Sequence, residues 1–188
     1  MIILLSPSKG QNFDPHPCEK FSQPALLSQS KRLVKKLKTM KPAQLQQLMS
    51  ISENLAQLNH QRFQNFKTPF QLGAAKQAAL AFKGDVYAGL EAERFSKTDL
   101  DFAQQHLRIL SGLYGYLKPL DLIMPYRLEM KTRLANDQGE NLYQFWDTQI
   151  TDLLNNELNG ESDFVVNLAS NEYFKAIKKP KVKASVLT

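Results

Sequence analysis

Two short apolar runs, far apart in the chain, constrain its fold more than any other feature. Met1-Ile2-Ile3-Leu4-Leu5 and Phe164-Val165-Val166-Asn167-Leu168 lack the strict polar–apolar alternation of a half-exposed strand. Short apolar runs rich in β-branched residues and ended by turn residues read as strands buried on both faces. Strands of that kind belong to sheets with helices packed against them. Ser6-Pro7 closes the first run, and Ser170-Asn171-Glu172 follows the second as a helix start. The expected fold class is therefore mixed α/β. The strands at 2–5 and 164–168 share one mixed sheet covered by helices, with their following loops adjacent.

Helical periodicity fills much of the interval. Leu26, Leu27, Leu33, Val34 and Leu37 recur at helical spacing between Pro24 and Leu37. Pro42 suits the first turn of a second helix, which carries Leu45, Leu48 and Met49. Ser50-Ile51-Ser52-Glu53 fits the S-x-x-E capping box and marks the start of a third. Residues 74–82 look helical, Thr98 can cap a helix over 99–107, and Arg108 to Gly115 reads as a strand entering a tight loop. Gly10 to Pro24 reads as an ordered loop. Residues 142–158 read as one amphipathic helix stopped by Asn159-Gly160. A last apolar strand spans 182–187, and its abrupt end reads as a chain cut inside a domain. The expected organisation is a single α/β domain over 1–188, C-terminally truncated, with an insertion at 42–66.

The chain has 188 residues and a formal net charge of +6, but the charge is unevenly placed. Lys31, Arg32, Lys35, Lys36, Lys38 and Lys41 cluster without an intervening acid, as do Lys175, Lys178, Lys179, Lys181 and Lys183. The remaining residues are net negative. Concentrated positive charge suits a polyanion, because each neutralised phosphate releases a condensed counterion. The same clusters would also serve as solvated helix faces. No apolar stretch approaches the roughly 18 residues of a membrane helix, so no membrane partner is expected. The single Cys18 excludes an intramolecular disulfide and suits a reducing cytoplasm. His16, His60 and His106 are isolated, so neither a metal site nor a cofactor is expected. G-x-S-x-G and G-x-G-x-x-G are absent, and no catalytic residue is assigned.

Two constellations carry function. In the first, Leu48, Ile51 and Ala56 fall at helix-hairpin-helix offsets, with Ser52 where that motif carries glycine. Such a hairpin offers backbone N–H groups to phosphate at a helix N-terminus. With the neighbouring basic cluster, the candidate DNA-binding residues are Lys31, Arg32, Lys35, Lys36, Lys38, Ser50, Ser52 and Asn54. The expected partner is duplex or branched DNA, held without sequence readout, and no stable protein partner. A plain capped helix pair is the competing reading. The second constellation follows the strands, where α/β proteins bind ligands. Ser6, Ser8, Lys9, Lys83 and Arg127 join Asn167 and Ser170 as cleft candidates, and Tyr114 and Lys118 belong either to a further cleft wall or to a packed turn. An enzyme acting on a phosphorylated or nucleotide-like small molecule is the alternative function.

Longer motifs add a resemblance. Ser6-Pro7-Ser8-Lys9, Phe82–Tyr87, Leu110–Gly115, Lys118–Leu122, Pro125–Met130 and Asn167–Phe174 resemble, in order, those of the YaaA peroxide-stress family. The resemblance implies a bacterial cytoplasmic protein that limits intracellular iron and protects DNA and protein from oxidation. It also implies a mixed α/β fold, a positively charged cleft, a helix-hairpin-helix and affinity for DNA. Family members continue into a strand-rich basic segment beyond this sequence, and the resemblance transfers no catalytic residue.

Overall fold

In the computed structural model of the chain, residues 1–158 and 163–188 are described. The chain begins with β1 (Ile2–Leu5) and β2 (Gly10–Gln11), then α1 (Leu27–Lys38), α2 (Pro42–Met49) and α3 (Glu53–Asn65). β3 (Lys76–Gln77), α4 (Ala78–Ala81), β4 (Phe82–Lys83), α5 (Asp85–Leu90) and α6 (Lys97–His106) follow. Next come β5 (Leu107–Ser111), β6 (Gly115–Leu117), β7 (Leu122–Ile123), α7 (Leu142–Trp146) and α8 (Gln149–Glu157). β8 (Phe164–Asn167), α9 (Asn171–Phe174) and β9 (Ser185–Leu187) complete the order.

The fold is mixed α/β, built on a five-stranded sheet of order β6-β5-β1-β8-β9. The two apolar runs are parallel neighbours, with Ile2 opposite Val165 and Leu4 opposite Asn167. β5 lies parallel on the other side of β1, β9 is parallel to β8, and β6 alone runs antiparallel to β5. Ile2, Leu4 and Leu5 are buried, each contributing roughly 1.5–3 kcal/mol of apolar transfer energy. β5 is buried along its whole length, including Arg108. That guanidinium is satisfied by Glu157 at 2.7 Å and by the carbonyls of Gln104, Gln105 and Leu107. A buried charge persists only when it is paired and hydrogen-bonded in this way.

Several boundaries differ from the sequence expectation. The left-handed residue of the α2–α3 turn is Ser50 (φ 50°, ψ 55°). Ser52 is the extended N-cap of α3, accepting from the Leu55 amide at 3.4 Å, so the capping serine lies two residues beyond the expected one. α6 is likewise capped by Ser96, in a box with Asp99, and not by Thr98. Of residues 74–82 only α4 is helical; β3 pairs with β7, and β4 pairs with β2 inside the expected loop. The helix expected over 142–158 breaks at Asp147 (φ 38°, ψ −110°), which separates α7 from α8. The expected stop at Asn159-Gly160 lies outside the described residues.

Candidate functional site

β1 is flanked by strands reached in opposite directions: the chain goes first to β5 on one side and later to β8 on the other. Loops after such a pair diverge and leave a crevice at the carboxyl ends of the strands. A cleft of about 480 Å³ lies there, lined by the loop after β1, the segment Tyr126–Glu129, Lys131 and the start of α9. Its floor is tied across the sheet. The Ser170 amide donates to Ser6 Oγ at 2.9 Å, the two hydroxyls lie 3.2 Å apart, and Tyr87 donates to the Ser6 carbonyl at 2.8 Å. Gly84 (φ 129°) passes so close that a Cβ there would sit 3.0 Å from Ser8 Oγ.

Charge is concentrated on one wall. Glu129 pairs with Lys9 at 2.9 Å and with Arg127 at 3.5 Å, while Glu172 pairs with Lys131 at 3.7 Å. Burial pushes the Glu129 carboxyl up, but the Lys9 hydrogen bond and the charges of Lys9, Arg127 and Lys131 outweigh it and hold it below its ordinary range. Arg127 Nε is buried without a hydrogen-bond partner among the described residues. Burial pushes the phenols of Tyr126 and Tyr173 well up, so both stay neutral near pH 7. Ser6 and Ser170 bond to each other, and among the described residues neither a histidine nor a cysteine lines the cleft. The cleft is equipped to hold an anionic, hydroxyl-bearing ligand.

Of the cleft candidates, Ser6, Ser8, Lys9, Arg127 and Ser170 come together here. The other four lie elsewhere. Lys83 turns to Glu93 at 2.5 Å, and Asn167 is buried, its side chain accepting from the Ala169 amide at 3.0 Å. Tyr114 is fully buried in the core, its hydroxyl accepting from the Met124 amide at 3.0 Å. Lys118 pairs with Glu157 at 3.1 Å, beside Arg108.

A second concavity adjoins the first and shares Lys9, Arg127, Glu129 and Lys131 with it; its far side is Ser50 at the α2–α3 turn, with Arg133. In that turn the amides of Ser50 and Ile51 bond the carbonyls of Gln47 and Gln46, so they are spent within the chain. Ser52 and Asn54 are exposed. On α1, Lys31, Lys35 and Lys36 are exposed and unpaired among the described residues. Arg32 pairs with Asp137 at 2.5 Å and lies over the Phe145 ring, and Lys38 donates to the Phe66 carbonyl at 3.2 Å. Residues Ala135–Asp137 line a third concavity with Arg32, Lys35 and Lys36.

The family model described as peroxide stress protein YaaA matches residues 1–188 of this chain. The chain belongs to that family. It is 54% identical over 187 residues to a UPF0246 protein of Acaryochloris marina (strain MBIC 11017). Identity is 52% and 53% over 190 residues to UPF0246 proteins of Teredinibacter turnerae (strain ATCC 39867 / T7901) and Shewanella halifaxensis (strain HAW-EB4). Each alignment covers all of this chain and 74% of the relative. In this YaaA-family fold, the cleft residues not singled out from sequence include Gln11, Glu129 and Lys131. The basic–acidic alternation Arg127-Leu128-Glu129-Met130-Lys131 was the available signal: period-two placement puts all three charges on one side of an extended segment. Among the described residues, no helix is long and apolar enough to cross a membrane, and no cluster of three His, Cys, Asp or Glu suits a metal ion.

Proposed function

We propose that the peroxide-stress role of this chain works through DNA binding, and that occupying DNA helps limit iron-dependent oxidative damage. The observation that carries this reading is one continuous segment, Lys131–Asp137. Its first part lines the concavity at the α2–α3 turn, and its last part lines the one beside Lys35 and Lys36. Arg133 thus links the turn to the exposed lysines of α1. A phosphate backbone laid along this path would meet Lys131 and Arg133 at one concavity and Lys35 and Lys36 at the other. The path is mainly lysine ammoniums, charges that track phosphate, so it fits backbone recognition without sequence preference, on duplex or branched DNA. The helix-hairpin-helix reading enters through the first turn of α3. Amides there have no intrahelical acceptor, and Ser52 takes only that of Leu55. Those of Glu53 and Asn54 therefore replace Ser50 and Ile51 as the phosphate donors.

Fluorescence anisotropy with labelled duplex across a salt series tests this. Lys35→Glu combined with Lys36→Glu is expected to weaken binding and to lower the log–log salt slope by about two units, one per lost phosphate contact. A double variant with the parent's affinity and slope removes α1 from the DNA surface.

A further inference from the structure

The switch-point cleft has a feature that duplex binding does not use. Val86 on α5 and Leu168 in the loop after β8 both line it, and they are 53% and 63% exposed. An aliphatic side chain left in water forfeits most of the stabilisation that burial would return. Here two such side chains, from different elements, line a cleft that also carries charged and hydroxyl groups. A ligand with a flat apolar face at one end and an anion at the other satisfies both parts.

The polar part narrows the class. Lys9, Arg127 and Lys131 against Glu129 and Glu172 leave one net positive charge in the cleft. That balance suits a single phosphate. A polyphosphate would call for the glycine-rich G-x-x-x-x-G-K-[ST] cradle, which the sequence lacks. Arg127, with Nε buried and unpartnered, is the donor best placed to gain from an anion. Ser6, Ser170 and the carboxylate of Glu172 offer the mixed donors and acceptors that a sugar diol requires, as acidic residues do beside ribose in other α/β crevices. About 480 Å³ falls within the usual range of roughly 300–1,000 Å³ for small-ligand sites.

We infer that this cleft binds a free nucleoside monophosphate. Its base lies against Val86 and Leu168, and its phosphate lies at Lys9, Arg127 and Lys131. This site shares Lys131 with the proposed DNA path, but its base end at Val86 and Leu168 lies outside that path and does not depend on the α1 lysines.

Isothermal titration calorimetry on the full chain tests the inference with AMP, GMP, CMP and UMP, ribose 5-phosphate and inorganic phosphate as titrants. At least one nucleotide is expected to bind at least about tenfold more tightly than ribose 5-phosphate, and inorganic phosphate most weakly. Leu168→Ser and Val86→Ser are surface changes that leave the core intact. Each should cost the nucleotide about tenfold while leaving ribose 5-phosphate within about twofold. Arg127→Gln should weaken both ligands. Neither serine variant should change duplex affinity, and Lys35→Glu with Lys36→Glu should leave nucleotide affinity unchanged. No heat with any nucleotide up to about 5 mM overturns the inference, as does ribose 5-phosphate binding as tightly as every nucleotide. Parallel loss of duplex and nucleotide binding in the serine variants would refute a base end outside the DNA path.

Discussion

At Asp121, burial and hydrogen bonding pull one carboxyl in opposite directions. Burial pushes it up to about 6, against the Ser22 hydroxyl at 2.6 Å and the Lys118 amide at 2.8 Å, which favour the charged form. Glu129 shows the reverse balance, since its cationic neighbours outweigh its burial. The folded chain thus holds the Asp121 proton more tightly than the unfolded chain does. Its contribution to stability is present below about pH 4 and is lost as pH rises through about 6, at most about 3 kcal/mol in all. Urea denaturation of the parent and Asp121→Asn should show their stability difference moving by up to about 3 kcal/mol in favour of the variant between pH 4 and pH 7. A difference that stays constant across that range would place the proton elsewhere. Gly112 is constrained by space and not by charge. A Cβ there would lie 2.2 Å from the Leu128 carbonyl oxygen, and the Gly112 carbonyl accepts from the Trp146 indole at 3.0 Å. Gly112→Ala should therefore cost about 3 kcal/mol or more, and thermal unfolding within a degree of the parent would contradict that close approach.

Between α2 and α3 the two serines have separate duties. Ser50 holds the left-handed conformation that glycine adopts without strain, so Ser50→Gly should stabilise by about 0.5–1 kcal/mol. Ser52→Ala removes the cap of α3 and should destabilise by about 1 kcal/mol. Denaturant midpoints that move in the same direction for both variants would contradict this division. Sequence pattern placed both helices but not their junction, because Ser50 and Ser52 each precede a plausible start and only backbone angles separate them. The same limit applies at Asp147, where positive φ in a non-glycine residue leaves no compositional trace. β2, β3, β4 and β7 are two residues long and carry no period to detect. The two apolar runs were legible because they carry one polar side chain between them, Asn167, although Phe164 and Leu168 at the ends of the second are exposed. In the cleft, Ser6, Ser8, Lys9 and Ser170 were legible as residues following strands. Tyr114 and Lys118 were misplaced because a Gly-Tyr-rich turn looks the same whether it points into the core or onto a wall.

For the molecule as a whole, stability should grade outward from β1, which is bonded to strands on both sides, towards β9, which pairs with β8 and is exposed at Ser185 and Leu187. Hydrogen-exchange mass spectrometry should find β1 and β5 amides protected near the global limit, with β9 exchanging orders of magnitude faster. Equal protection would mean that β9 is covered on its outer side. The pairing of Ile2 with Val165 also sets an order of events during synthesis. At roughly 5–20 residues per second, β1 leaves the ribosome about 10–30 s before β8 exists to flank it. Through that interval an Ile-Ile-Leu-Leu edge waits without its partner, a stretch that a nascent-chain chaperone would cover. The Ser6–Ser170 floor closes only at the end of that wait, so a ribosome stalled before β8 would hold a chain with helices α1 to α3 formed and no cleft at all.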